Sequence, residues 1–175
     1  MSLVIRLAIP CDAVYLPAIE RSAAQLFRAV DGLHWLADAD VMTVERHRQL
    51  IALSTCWVAS DASGQLLGFI SVQRYGDDLH IHELSVKQSM QGQGVGRRLI
   101  EAVMNEVRSQ RLRAVTLSTF NDVPWNAPFY QRLGFERDSL ARPDPRLAAI
   151  LRDEYAHGFA PGSRCAMVWR RSCNG

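Results

Sequence analysis

Glycine recurs at alternate positions in Gln91-Gly92-Gln93-Gly94-Val95-Gly96, between an apolar, strand-like run (Leu79 to Val86) and a helix-like segment beginning at Val95. Glycine admits backbone conformations closed to other residues and lets a ligand come close to the main chain. From Val95 the apolar residues Leu99, Val103 and Val107 return every four positions, with Arg97, Arg98, Glu101 and Arg108 between them, so the segment is an amphipathic helix. A strand passing through glycines into a helix is a mixed α/β element. The first free N–H groups of the helix and its positive end favour an anion there, a pyrophosphate above all. The spacing excludes two familiar anion loops. The dinucleotide fingerprint would need glycine where Arg97 stands, and no Gly-Lys-Ser/Thr follows.

The rest of the chain surrounds this turn with alternating elements. Leu3 to Ile9 reads as a strand, and Asp12 can cap a helix with Leu16, Ile19, Ala23 and Phe27 on one face. Asp31-Gly32 breaks it. Past a loop with His34 and Trp35, Thr43 can cap a second helix carrying Val44, His47, Leu50 and Ile51. Thr55 to Ala59, Leu66 to Tyr75 and Leu79 to Val86 are three strands joined by the turns Asp61–Gly64 and Gly76–Asp78, an antiparallel meander. After the amphipathic helix, Ala114 to Phe120 reads as a strand, Trp125 to Leu133 as a short helix ended by Gly134, and Phe135 as the start of a further strand. Asp144-Pro145 opens a helix with Leu147, Ile150, Leu151 and Tyr155, and Arg164 to Trp169 is the last strand. No repeat or linker divides the chain, so the expectation is one α/β (α+β) domain over residues 1–175.

Composition narrows the functional classes. A chain of 175 residues with 48% hydrophobic and 22% charged residues can bury a core without staples. A net charge of +2 with dispersed Lys and Arg argues against a nucleic-acid surface. No apolar run approaches the roughly 18 residues of a membrane span and no basic leader precedes one, so the expected setting is cytoplasmic, without a membrane partner. Cys11, Cys56, Cys165 and Cys173 form no Cys-x-x-Cys and have no histidine-rich neighbourhood, so no metal is expected.

Two stretches carry a family resemblance. Gln91-x-x-Gly94-x-Gly96, preceded by His82-Glu83-Leu84-Ser85-Val86 and followed by Arg97-Arg98-Leu99, resembles the acetyl-CoA motif of the GCN5-related N-acetyltransferase (GNAT) superfamily. Ala127-Pro128-Phe129-Tyr130-Gln131-Arg132-Leu133-Gly134-Phe135 is similar to its Ala-x-x-hydrophobic-Tyr-x-x-x-Gly-Phe signature. The resemblance covers residues 55–136 and departs at Pro124, where many members carry an asparagine that contacts the cofactor; Asn121 and Asn126 are the nearby asparagines. It implies a mixed, mostly antiparallel sheet of six to seven strands, splayed between the fourth and fifth and flanked by helices. It also implies acetyl-CoA as co-substrate. The backbone of Leu84, Ser85 and Val86 would bind the pantetheine arm. Gln91, Gly92, Gln93, Gly94, Val95, Gly96 and Arg97 would hold the pyrophosphate, with Arg97 or Arg98 either meeting a phosphate or facing solvent.

The chemistry asks for further groups. A primary amine near pKa ~10.4 arrives protonated, so a base must relieve it before it attacks a thioester. His80 and His82, two apart on one strand face, suit that relay, with Glu83 on the other face as the alternative. His-x-His-x-Leu-x-Val and Pro128-Phe129-Tyr130-Gln131-Arg132 also resemble the arylalkylamine N-acetyltransferases, whose paired histidines carry the proton away through waters. Tyr130 matches the superfamily's general acid for the leaving thiolate, and the Leu84 N–H is the expected oxyanion donor. No serine or His-paired cysteine stands out as a nucleophile, which implies direct transfer. Phe27, His34, Trp35, Phe120 and Trp125, with Leu33 and Tyr75, are candidate walls for a small, apolar or aromatic amine. The admitted partners are a small-molecule amine and a second copy of the chain. A peptide N-terminus, an aminoglycoside and a non-catalytic acyl-CoA sensor remain open alternatives.

Overall fold

A computed structural model describes residues 2–172; Cys173 lies outside them. The chain divides into two compact units, Met1–Arg74 with His82–Glu106, and Tyr75–Ile81 with Val107–Gly175. Seven strands, β1 (Val4–Leu7), β2 (Cys56–Ser60), β3 (Leu66–Tyr75), β4 (Asp78–Val86), β5 (Ala114–Phe120), β6 (Glu136–Arg137) and β7 (Arg164–Arg170), make a mixed sheet in the order β1-β2-β3-β4-β5-β7-β6. The helices are α1 (Leu16–Ala24), α2 (Val44–Ala52), α3 (Val95–Ser109), α4 (Ala127–Arg132) and α5 (Pro145–Ala156).

In the first unit β1 pairs antiparallel with β2 from Val4↔Ser60 to Leu7↔Trp57, and β2 with β3 from Cys56↔Ser71 to Ser60↔Leu66. Both faces of β2 and the start of β3 are buried, so their apolar runs are continuous and do not alternate. Leu16, Ile19, Val58 and Phe69 lie at the centre of this core. Gly68 on β3 has a special place in it: a Cβ there would stand 2.8 Å from the Ser85 carbonyl oxygen, 3.3 Å from Val86 and 3.4 Å from Leu99. Thr43 caps α2 as expected, its hydroxyl accepting the Arg46 N–H at 3.1 Å.

In the second unit the start of β4 pairs parallel with β5 through Asp78↔Ala114, Leu79↔Val115 and His80↔Thr116. β5 pairs antiparallel with β7 along its whole length, and β6 adds two residues to β7. Asp144 caps α5, accepting the N–H groups of Arg146 at 2.8 Å and Leu147 at 3.3 Å, and α5 sets Leu147 against Ala114, Ala166 and Val168.

The opening segment differs from its sequence pattern. Residues Pro10–Tyr15 form a 3₁₀ turn ahead of α1, and Gln25–Ala29, with Phe27, forms another after it. Asp12 does not cap α1. Its carboxylate is buried, accepts the Ile9 N–H at 2.8 Å and takes Arg6 of β1 at 2.7 and 3.1 Å, and those bonds hold it below the usual carboxylate range against the opposing pull of burial. The short helix begins at Ala127, not Trp125, because Asn126 takes the cap position.

His47 makes the first unit sensitive to acid. It is 0% exposed, neither ring nitrogen has a hydrogen-bond partner, its ring meets Phe69 edge-on at 5.1 Å, and Glu20 Oε2 stands 4.0 Å from Nε2. Burial pushes the imidazole down to about 4. Unfolded, it titrates near ~6.5. The unfolded chain therefore binds a proton that the native chain refuses, and stability drops as pH falls from ~6.5 towards 4, by up to about 3 kcal/mol. Glu20, raised by burial, has the opposite sign: its contribution is lost as pH rises through its folded value. Urea midpoints between pH 7 and 4.5 should fall more steeply for the wild type than for His47→Gln; parallel slopes would remove His47 as the acid sensor.

Candidate active site

The glycine turn carries a left-handed backbone. Gly92 and Gly94 adopt φ of +72° and +83°, and an added Cβ at either would meet nothing within 4 Å. Glycine is thus required there by the left-handed backbone and not by crowding. The first bond of α3 runs from Arg98 N–H to Gly94 O at 3.1 Å, so the N–H groups of Val95, Gly96 and Arg97 precede the helical ladder. Gln91 Nε2 donates to Val86 O at 3.0 Å, tying the turn to the end of β4, while its Oε1 is buried without a partner. Gln93 Nε2 donates to Ser89 O. The two arginines are engaged locally: Arg97 Nε pairs with Glu101 at 2.9 Å and Arg98 Nη1 reaches Leu3 O at 2.9 Å.

On β4 in the same unit, Ser85 is buried and its hydroxyl donates to Glu83 Oε1 at 2.8 Å, between half-buried Leu84 and Val86. His82 is exposed, with Nε2 3.1 Å from Gln73 Oε1, and Arg46 Nη2 donates to that same oxygen at 2.9 Å. Arginine only donates, so Gln73 Oε1 is an acceptor and His82 carries its proton on Nε2. Phe27 is half-buried; His34 and Trp35 are exposed on a 3₁₀ turn, His34 Nε2 lying 3.9 Å from Asp31.

The second unit holds His80, Tyr130, Phe120 and Trp125. His80 is buried at 4% exposure, with Nδ1 2.8 Å from Thr116 Oγ1 and its ring edge-on to Tyr75. Thr116 also accepts from Arg146 Nη2 at 2.9 Å. Arg146 stacks on Tyr75 at 4.9 Å and lies 3.6 Å from Asp78, which forms a bidentate pair with Arg113 at 2.9 and 2.6 Å. Tyr130 on α4 is buried between Phe129 and Phe135, both in edge-on contact. Phe120 packs edge-on to Phe159, with Arg164 over both rings, and Trp125 is half-buried in the loop before α4. Asn121 is committed to the end of β7, donating to Gly162 O and Arg164 O and accepting from Arg137; Asn126 donates to Trp125 O.

Burial disfavours the thiolate at Cys56 and Cys165. Burial pushes the Cys56 thiol up to about 11 and raises Cys165 as well, while Cys11 is exposed. Among the described residues no three His, Cys, Asp or Glu side chains gather as metal ligands, and no helix is long and apolar enough to cross a membrane. Sequence reasoning missed Gln73, Thr116 and Arg146 as partners of the histidines. Thr116 has a visible signal, a polar residue inside the apolar run Ala114–Phe120, but only the β4–β5 register sets it opposite His80.

Residues 52–137 match the family described as an acetyltransferase (GNAT) domain. The chain is 24% identical over 135 residues, 75% of its length and 84% of the relative's, to the N-alpha-acetyltransferase RimI of Mycobacterium tuberculosis. It is 31% identical over 87 residues to an L-methionine sulfoximine/L-methionine sulfone acetyltransferase of Pseudomonas aeruginosa, covering 45% of this chain and 49% of that one. In structure it superposes on the PaiA N-acetyltransferase of Thermoplasma acidophilum, solved in complex with coenzyme A, at a TM-score of 0.72 and 16% identity, over 98% of this chain and 100% of the other.

Proposed function

We propose that this chain, which carries a GNAT acetyltransferase domain and is an acetyl-CoA-dependent N-acetyltransferase, delivers acetyl directly to the primary amine of a small molecule, with residues 1–175 working as one catalytic domain. Acetyl-CoA supplies the acyl group as a thioester. The observation that carries the reading is the turn at Gly92 and Gly94, whose left-handed backbone leads into the N–H groups of Val95, Gly96 and Arg97 ahead of the α3 ladder. Because Arg97 and Arg98 are engaged elsewhere, main-chain N–H groups at Gly92–Arg97 would hold the pyrophosphate, flanked by Gln91 and Gln93. The backbone of Leu84, Ser85 and Val86 would take the pantetheine arm, and the Leu84 N–H would face the oxyanion.

The incoming ammonium must lose a proton, and exposed His82 on β4 would take it, with Glu83, already accepting from Ser85, as the alternative. Tyr130 would protonate the leaving thiolate. The raised thiols of Cys56 and Cys165 support direct transfer over an acyl-enzyme. The aromatic residues Phe27, Trp35, Phe120 and Trp125, with His34, favour an arylalkylamine. The methionine sulfoximine relative supports an amine of amino-acid size. The match of this chain to RimI supports a second reading, a protein N-terminal amine.

The deciding assay follows free thiol from acetyl-CoA with arylalkylamines, amino acids, polyamines, aminoglycosides and short peptides. Release with small primary amines is the expected result. Release with peptides alone would replace it by the second reading, and saturable acetyl-CoA binding without release across the panel would make the protein a sensor.

A further inference from the structure

The hydroxyl of Thr116 is 1% exposed, and among the described residues its hydrogen-bond partners are Arg146 and His80. A hydroxyl has one hydrogen to give and lone pairs to receive. Arg146 Nη2, at 2.9 Å, can only donate, so it occupies a lone pair of Oγ1. The hydroxyl hydrogen then has one acceptor within reach, Nδ1 of His80 at 2.8 Å. If His80 donated from Nδ1 instead, Thr116 would receive two N–H groups and its own hydrogen would be buried unpaired, which is unfavourable.

The donor that starts this chain is itself held in place. The Arg146 guanidinium lies on the Tyr75 ring at 4.9 Å and 3.6 Å from the Asp78 carboxylate, whose other bonds go to Arg113. Asp78 is 2% exposed and pairs with Ala114 in the same parallel ladder that sets His80 against Thr116.

We propose that Arg146, acting through the Thr116 hydroxyl, fixes His80 as the neutral imidazole with its hydrogen on Nε2, so that His80 offers a hydrogen-bond donor and not a basic lone pair. Arg146 and Thr116 are positioning residues. This rests on the functional reading only for what His80 faces; the tautomer itself does not depend on it. His80 is thereby withdrawn as the base, and the proton of the amine falls to another group.

The test is the ¹⁵N spectrum of histidine-labelled protein, with the His80 signals assigned by their loss in His80→Gln. The wild type should show one His80 tautomer, protonated at Nε2. Thr116→Val should lose that single tautomer and give a mixture, Thr116→Ser should restore it, and Arg146→Met should weaken it. A hydrogen on Nδ1 in the wild type overturns the proposal without any variant, so poor folding of Thr116→Val cannot shelter it. An unchanged tautomer in folded Thr116→Val also overturns it. Thiol release is measured separately on the same samples. A correct tautomer without amine-dependent release defeats the proposed function and leaves this inference standing.

Discussion

Tyr130→Phe should lower turnover by about 10²-fold while acetyl-CoA affinity and thermal midpoint stay near their wild-type values. The magnitude is that of removing a positioned general acid. The separation of effects comes from the packing: Tyr130 meets Phe129 and Phe135 through its ring, at centroid distances of 5.2 and 5.5 Å, and phenylalanine keeps that ring. Steady-state kinetics, calorimetric binding of acetyl-CoA and a melting curve on one preparation check it. Unchanged turnover would take Tyr130 out of the mechanism, and a collapsed midpoint would make its hydroxyl a structural group.

Gly68→Ala should cost about 1–3 kcal/mol although it adds only a methyl group, and Gly68→Val more. The first atom the new Cβ meets, at 2.8 Å, is the backbone oxygen of Ser85, and a strand carbonyl cannot rotate away as a flexible side chain would. β4 must therefore shift at Ser85, in the segment proposed to bind the pantetheine arm, so the KM for acetyl-CoA should rise together with the loss of stability. Chemical denaturation and kinetics on Gly68→Ala test both. A midpoint within a degree or two of wild type would mean that the two strands separate at no cost.

The two glycine sites contrast in how readable they were. Gly92 and Gly94 stand out in sequence because they punctuate a local switch from strand to helix, and the structure gives them positive φ. Gly68 carries no local signal, since its need is set by Ser85, seventeen positions further on. The same division runs through the fold. Leu66–Tyr75 and Ala114–Phe120 were bounded correctly by apolar runs ending in turn residues, and the caps at Thr43 and Asp144 followed from side chains that bond their own next turn. Asp12 was misplaced because Arg6, on another element, competes for its carboxylate. The order β5-β7-β6 lay beyond the sequence pattern, because pairing partners are chosen by non-local packing. For the candidate site, the residue types at 80, 82, 83 and 130 were legible, while their partners Thr116, Arg146 and Gln73 were not.

The parallel register between β4 and β5 sets His80 opposite Thr116, the pair whose side chains are also bonded to each other. Parting the two strands at this position must break, besides the main-chain pairing, an imidazole–hydroxyl bond braced by the half-buried guanidinium of Arg146. Loosening His80 and loosening this stretch of the sheet are therefore coupled events.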